Sequence, residues 1–148
     1  MTRKFVLDSN LYIDAIRDPV KEAALDAFLE RNAPVTFMSA VVIQELRAGA
    51  VTDAAARALD RGIFAVFERR GRVLGPSVKV FKDCGRILAA LFLQDGVPFR
   101  ERPRSLVNDI LIAGTCRENG MTLVTDDKDF RTIRPFMRGL VLTAPWPL

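Results

Sequence analysis

The 148-residue sequence predicts an α/β fold, a three-layer α/β/α sandwich whose central parallel sheet has about five strands. Short β-prone runs alternate along the chain with longer segments of helical apolar spacing. An apolar content of 49% suits a domain that buries most of its apolar surface. Because no repeat, low-complexity tract or linker interrupts the alternation, we expect one domain over residues 1–148.

Each predicted element is bounded by residues that end strands or cap helices. Asn32-Ala33-Pro34, Gly75-Pro76 and Asn119-Gly120 are turn or stop signals, and Ser9, Asn10 and Ser39 can cap the helices that follow them. Strands are predicted at residues 4–7, 35–38, 72–74, 121–125 and 139–143. Helices are predicted from about residue 9, and at about 20–30, 40–50, 52–69, 77–93 and 106–117. Six phenylalanines at core-like spacing are predicted to pack inside: Phe28, Phe37, Phe64, Phe67, Phe81 and Phe92.

The composition limits the possible chemistry. The chain has no histidine, which excludes Ser-His and Cys-His nucleophile pairs and histidine-ligated zinc. Cys84 and Cys116 are isolated, so we expect two buried thiols in a reducing compartment and no structural zinc. No apolar run is long enough for a membrane span and the amino terminus lacks a signal-peptide centre, so we expect a cytoplasmic protein without membrane contact.

Two acidic residues directly follow predicted strands. Asp8 ends the first apolar strand, and Asp127 follows the strand predicted at residues 121–125. In a parallel sheet, ligand sites lie beyond the carboxyl ends of the strands. The two carboxylates are therefore expected to share one site.

Two further acids lie on apolar helix faces. The neighbours of Glu45 one turn away are Val41, Val42, Ala48 and Gly49, none of which can pair with a charge, and Asp109 has a similar setting. A buried carboxylate needs a partner, which could be a basic residue for each acid singly. Four such acids brought together repel one another unless a hard divalent cation binds, so the pattern favours Mg²⁺ or Mn²⁺. Calcium is less favoured because no EF-hand loop is present.

Four segments carry a resemblance to the PIN-domain nucleases, and among them to the VapC-type toxins of bacterial toxin-antitoxin pairs. In order along the chain, these segments are FVLDSNLYID at residues 5–14, IQELRAG at 43–49, NDILIAGTC at 108–116 and LVTDDKDF at 123–130. None is specific alone, but all four occur in the order and spacing of the family. The resemblance covers essentially the whole chain.

The resemblance implies an endoribonuclease that hydrolyses RNA by metal-activated water. It places the catalytic and metal-binding acids at Asp8, Glu45, Asp109 and Asp127, and supporting residues at Asn10, Asn108, Thr125 and Asp129. It also implies neutralisation by a cognate antitoxin, with a homodimer or a toxin-antitoxin hetero-oligomer as the assembly. The net charge of +4 adds weak support for a polyanionic substrate. The first RNA contacts are expected at basic residues flanking two of the acids: Arg100, Arg102, Arg104 and Arg131, with Arg134.

Two alternatives are open from the sequence. One is a catalytically idle PIN-like module that binds RNA or protein. The other is a magnesium-dependent phosphatase of the haloacid-dehalogenase type, which also begins with an aspartate after an apolar strand. That class needs a second aspartate where this chain has Asn10, so an aspartyl-phosphate mechanism is disfavoured.

Overall fold

The computed structural model describes residues 2–146, so the limits of the expected domain at residues 1 and 148 lie outside it. A five-stranded, all-parallel sheet has the strand order β3-β2-β1-β4-β5 and is flanked by helices. The predicted α/β/α class is confirmed. The strands are β1 Phe5–Leu7, β2 Thr36–Ser39, β3 Val73–Leu74, β4 Thr122–Val124 and β5 Val141–Thr143.

The helices connect the strands much as predicted. Ser39 caps its helix as expected, accepting a hydrogen bond from the N–H of Val41 at 3.1 Å. Asp8, and not Ser9 or Asn10, caps the first helix, which already begins at Ser9. The helices are α1 Ser9–Arg17, α2 Pro19–Asn32, α3 Ala40–Gly49, α4 Asp53–Ala58, α5 Ala65–Arg69, α6 Val78–Asp95, α7 Arg104–Glu118 and the short α8 Phe130–Ile133.

Two helical segments differ from the sequence prediction. The helix expected over 52–69 is interrupted by a π-helical segment, Leu59–Phe64, between α4 and α5. Its wider turn lets Leu59 and Phe64, five residues apart, both reach the core. Short α8 was not predicted, because four residues show too little periodicity.

The core is one contiguous apolar cluster on which the central strands lie. Every residue of β1 and β4 is buried, as expected for strands covered on both faces. Phe28 is fully buried between Phe5 and Trp146, at ring-centroid distances of 5.3 and 5.0 Å. Both cysteines are buried and free, as predicted.

Two of the six phenylalanines predicted for the core are instead exposed. Phe81 and Phe92 are 56% and 46% exposed, so that prediction is wrong for them. The core-facing positions of α6 are Val80, Cys84, Ile87, Leu88 and Leu91, which turns both rings toward solvent. No helix within residues 2–146 has the length and apolarity to cross a bilayer.

Helices α6 and α7 pack closely at Gly114. A Cβ placed on Gly114 would lie 2.9 Å from Cγ1 of Val80, which is buried and β-branched and therefore cannot rotate away cheaply. Gly85, on the exposed side of α6, would meet nothing within 4 Å. The two helical glycines therefore form a matched pair for testing this packing.

We predict that Gly114→Ala lowers the melting temperature by about 2 to 4 °C, because overpacking outweighs the gain in helix propensity by roughly 1 kcal/mol. Gly85→Ala should raise the melting temperature, because only the propensity gain applies there. Thermal unfolding followed by circular dichroism measures both. Equal stabilisation by the two substitutions would contradict the close approach of α6 and α7.

Candidate metal centre

The strand order places the carboxyl ends of β1 and β4 at a topological switch point. From β1 the chain crosses to β2 on one side, whereas β4 is added on the other side. In open parallel sheets, the crevice at such a point is where ligands bind. Asp8 follows β1 here, and Thr125 and Asp127 follow β4.

Asp8 is held rigidly at this crevice. Its backbone N–H donates to the carbonyl of Val124 at 3.0 Å, continuing the β1–β4 pairing by one residue. One carboxylate oxygen accepts from the N–H of Ser9 at 2.8 Å, and the other accepts from the hydroxyl of Thr125 at 3.0 Å. Burial raises the pKa of Asp8 to about 6, against these two hydrogen bonds, and the charges of Glu45 and Asp127 add to the increase.

Thr125 links two of the acidic residues. Its hydroxyl donates to Asp8 and also accepts a hydrogen bond from the backbone N–H of Asp127 at 3.0 Å. The carboxylate of Asp127 in turn accepts from the N–H of Asp129 at 2.8 Å. The loop after β4 is thus fixed by hydrogen bonds among its own polar groups.

Asp129 was expected only as a supporting residue, but its carboxylate lies directly beside those of two other acids. One carboxylate oxygen from each of Asp109, Asp127 and Asp129 lies within 4.8 Å of the others. The sequence signal for this is the spacing of two residues between Asp127 and Asp129 after a strand. Asp126, the other acid of this loop, is exposed.

Asp109 is the acid most strongly affected by its surroundings. It is only 7% exposed, and its burial raises its pKa to about 8. The carboxylates of Asp8, Asp127, Glu45 and Asp129 add to this increase by charge repulsion, in that order. Charges from the three other segments therefore act on Asp109, and among them the carboxylates of Asp127 and Asp129 lie within 4.8 Å of its own.

Glu45, on α3, has a side-chain oxygen without a partner, and its charge acts on both Asp8 and Asp109. Its Oε1 is buried and forms no hydrogen bond in the described part of the chain. Among residues 2–146, no lysine or arginine forms an ion pair with any of the clustered acids. Pairing with basic residues, the alternative left open by the sequence, is therefore not how these charges are compensated. An all-oxygen donor set with an unpartnered buried oxygen fits a hard divalent cation.

The remaining residues named from the sequence are placed around this cluster in different ways. Asn108 is buried beside Asp109, whereas Asn10 is exposed on α1. Arg102 forms a 2.7 Å ion pair with Asp95, and its side chain is only 10% exposed, so it stabilises the loop after α6 and is not free for a phosphate. Four of the five expected RNA contacts are exposed: Arg100, Arg104, Arg131 and Arg134.

The sheet topology and the acidic crevice together define an α/β protein with a candidate divalent-metal centre. A model of the PIN domain family matches residues 5–134, and the chain belongs to this family of nucleases. No curated protein sequence matches the chain.

Several solved structures share the fold. VapBC from Salmonella typhimurium bound to DNA matches at 24% identity and a TM-score of 0.68, over 97% of this chain and 98% of that one. FitAcB from Neisseria gonorrhoeae matches at 22% identity and a TM-score of 0.66, over 97% and 99%. VapBC2 from Rickettsia felis, bound to a DNA fragment from its promoter, matches at 23% identity and a TM-score of 0.61, over 97% and 98%.

The raised pKa of Asp109 predicts how the stability of the metal-free protein depends on pH. Between pH 4 and 8 the folded state retains a proton on Asp109 that the unfolded state releases, so stability should fall as pH rises through this range. The Asp109→Asn side chain does not ionise, so the folded state no longer binds a proton that the unfolded state releases. The substitution should raise the melting temperature at pH 8 in EDTA by about 5 °C. At pH 4 the difference should nearly vanish.

Asp126→Asn is the matched control, because Asp126 is an exposed acid of the neighbouring loop. Its melting temperature should follow that of the wild type at every pH. A drop in stability at pH 8 on Asp109→Asn would show that no unfavourable charge is held at this position.

Proposed function

We propose that the protein is a metal-dependent endoribonuclease that hydrolyses RNA phosphodiester bonds. The observation that carries the proposal is the cluster of Asp109, Asp127 and Asp129, whose carboxylate oxygens lie within 4.8 Å of one another. Asp8 is hydrogen-bonded to Thr125 of the same loop, and the charge of Glu45, whose Oε1 is buried without a partner in the described chain, acts on Asp109. Mg²⁺, or Mn²⁺ in its place, suits this set of oxygen donors. Asp8, Glu45, Asp109 and Asp127 would hold the metal, with Asp129 close enough to take part.

Each acid has a role that its environment supports. A bound divalent metal supplies Lewis-acid polarisation of the phosphodiester and a lower pKa for an attacking water. Asp8 and Asp109, the most buried of the acids, would hold the metal from the end of β1 and from α7. The free Oε1 of Glu45 can accept a hydrogen bond from the attacking water and orient it, and Asp127 completes the set.

The absence of histidine from the sequence bears on the reaction products. Without an imidazole to deprotonate the 2′-hydroxyl, water is the nucleophile that the clustered carboxylates are best suited to orient. In-line attack of this water on phosphorus, with departure of the 3′-oxygen, would leave a 5′-phosphate and a 3′-hydroxyl, which is the outcome that the resemblance to PIN-domain nucleases implies. A 2′,3′-cyclic phosphate would indicate a different mechanism.

The protein acts, in this proposal, as the toxin of a toxin-antitoxin pair in the cytoplasm. The support is the PIN family membership and the structural similarity to VapBC assemblies. An apolar cavity of about 500 Å³ lies between α1, α2 and α5, and a second of about 310 Å³ shares Ile16 and Ile63 with it and reaches Glu45. An antitoxin segment lying along both cavities would end at the acids. A homodimer remains a further expectation for the assembly.

Sequencing of RNA 5′ ends after induction of the chain tests the activity. Wild type should arrest growth and produce new 5′-phosphate ends, whereas Asp8→Ala and Asp109→Ala should each lower cleavage at least about 100-fold, because each removes a metal ligand. Asp126→Ala, an exposed acid beside Asp127, should remain active. Equal cleavage by wild type and Asp8→Ala would eliminate the nuclease and favour the idle binding module.

Thr125 should be a positioning residue for the metal. Thr125→Val keeps the shape of the side chain but removes the hydroxyl that links Asp8 to the Asp127 backbone, so the affinity for Mn²⁺ should fall about tenfold. Thr125→Ser retains the hydroxyl and should restore most of the affinity. Calorimetric titration with Mn²⁺ measures both, and equal affinities for Val and Ser would show that the hydroxyl does not position the ligands.

A further inference from the structure

A cleft beside the acidic cluster lies between α3 and the first turn of α7. It has a volume of about 610 Å³ and is lined by Glu45 and Gln44 from α3 and by Arg104, Ser105 and Asn108 from α7. Glu45 belongs to the candidate metal centre, and Asn108 directly precedes Asp109. The cleft therefore opens onto the point where an RNA strand would be cut.

The first turn of α7 presents unpaired donors to this cleft. The helix is 15 residues long, and its N-cap residue, Pro103, has no side chain that can accept a hydrogen bond. The first backbone bond of the turn runs from the N–H of Leu106 to the carbonyl of Pro103, which leaves the N–H groups of Arg104 and Ser105 without a backbone acceptor in the described chain. Such N–H groups, together with the helix dipole, attract an anion.

Asn108 provides an independent indication of a ligand. It is only 8% exposed, yet its side-chain amide makes no hydrogen bond to any of residues 2–146. The atoms of this amide are not fully enclosed, so they remain accessible from the cleft. Its place in the wall of the cleft means that a ligand there can supply the missing partner.

Arg104 supplies a positive charge that is not used within the protein. Its exposed guanidinium forms no ion pair among the described residues, in contrast to that of Arg102. The guanidinium, the two N–H groups, the Ser105 hydroxyl and the Asn108 amide can all donate hydrogen bonds to one ligand. Such a set suits the oxygens of a phosphate group.

We infer that this cleft is a subsite for the backbone phosphate of the nucleotide next to the scissile bond, bound by Arg104, the first turn of α7 and Asn108. The inference rests on the proposed ribonuclease function, because the ligand is the same RNA strand. The subsite holds the strand at a second point beside the metal centre. Binding energy gained there aligns the scissile phosphate with the acids.

Fluorescence anisotropy with a labelled ten-nucleotide single-stranded RNA of mixed sequence tests the subsite, in EDTA so that metal-dependent cleavage is stopped. Arg104→Gln should bind this RNA about tenfold more weakly than wild type, as expected for loss of one charged hydrogen bond. The slope of log affinity against log salt should decrease by about 0.7, since one phosphate contact is lost. Asn108→Ala should also weaken binding, with the melting temperature showing that it folds.

Lys82→Gln is the matched control, because Lys82 is an exposed cation on α6 with no ion pair in the described chain. Its RNA affinity should remain within about twofold of wild type. Equal affinities for Arg104→Gln and Lys82→Gln would overturn the subsite and leave the proposed nuclease standing, as cleavage by wild type in Mg²⁺ would show. Failure of wild type both to bind and to cleave RNA would overturn the proposed function and the subsite together.

Discussion

The repulsion among carboxylates held together in a desolvated crevice is the constraint on which the rest of this structure depends. Asp8 and Asp109 are both buried, and burial and neighbouring charge raise the pKa of each, to about 6 and about 8. An arrangement of this kind costs folding free energy unless protons or a cation neutralise it. The surrounding fold must therefore be rigid enough to hold the acids close together against their mutual repulsion.

The rigidity comes from the elements that carry the acids. Asp8 is fixed by the continuation of the β1–β4 pairing and by Thr125, whose hydroxyl also holds the backbone of Asp127. Asp109 lies on α7, which packs against α6 so closely that Gly114 has no room for a methyl group beside Val80. The candidate metal centre thus lies on buried strands and on a tightly packed helix, which is the rigid support that a preorganised site requires.

The surroundings of the acids differ in character on their two sides. Apolar cavities between α1, α2 and α5 extend toward Glu45 from one side. The cleft at the first turn of α7 also reaches Glu45, and its wall includes the hydrogen-bond donors Arg104, Ser105 and Asn108. Under the proposed function, an antitoxin segment would occupy the apolar cavities and an RNA phosphate the cleft, so that both would approach Glu45 through different contacts.

The sequence by itself determined the fold class, the order of strands and helices along the chain, and the positions of acids at strand ends and on apolar helix faces. These features depend on local periodicity and on which residue types tolerate burial, and both can be read directly from the sequence. Short α8 and the π-helical segment escaped this reasoning because they deviate from regular periods. The exposure of Phe81 and Phe92 was not predicted, because α6 has apolar residues on two of its faces and the sequence does not show which face packs against the core.

Only the tertiary structure decided how the separated acids relate to one another. It placed Asp129 beside Asp109 and Asp127, and it showed that Thr125 links Asp8 to the loop after β4. It also showed that Arg102 forms an ion pair with Asp95, whereas Arg104 forms none among the described residues. Each of these results depends on contacts between residues far apart along the chain, or on the exact path of a loop. Positions along the sequence predicted a shared acidic site, but they do not specify which side chains of distant segments touch within it.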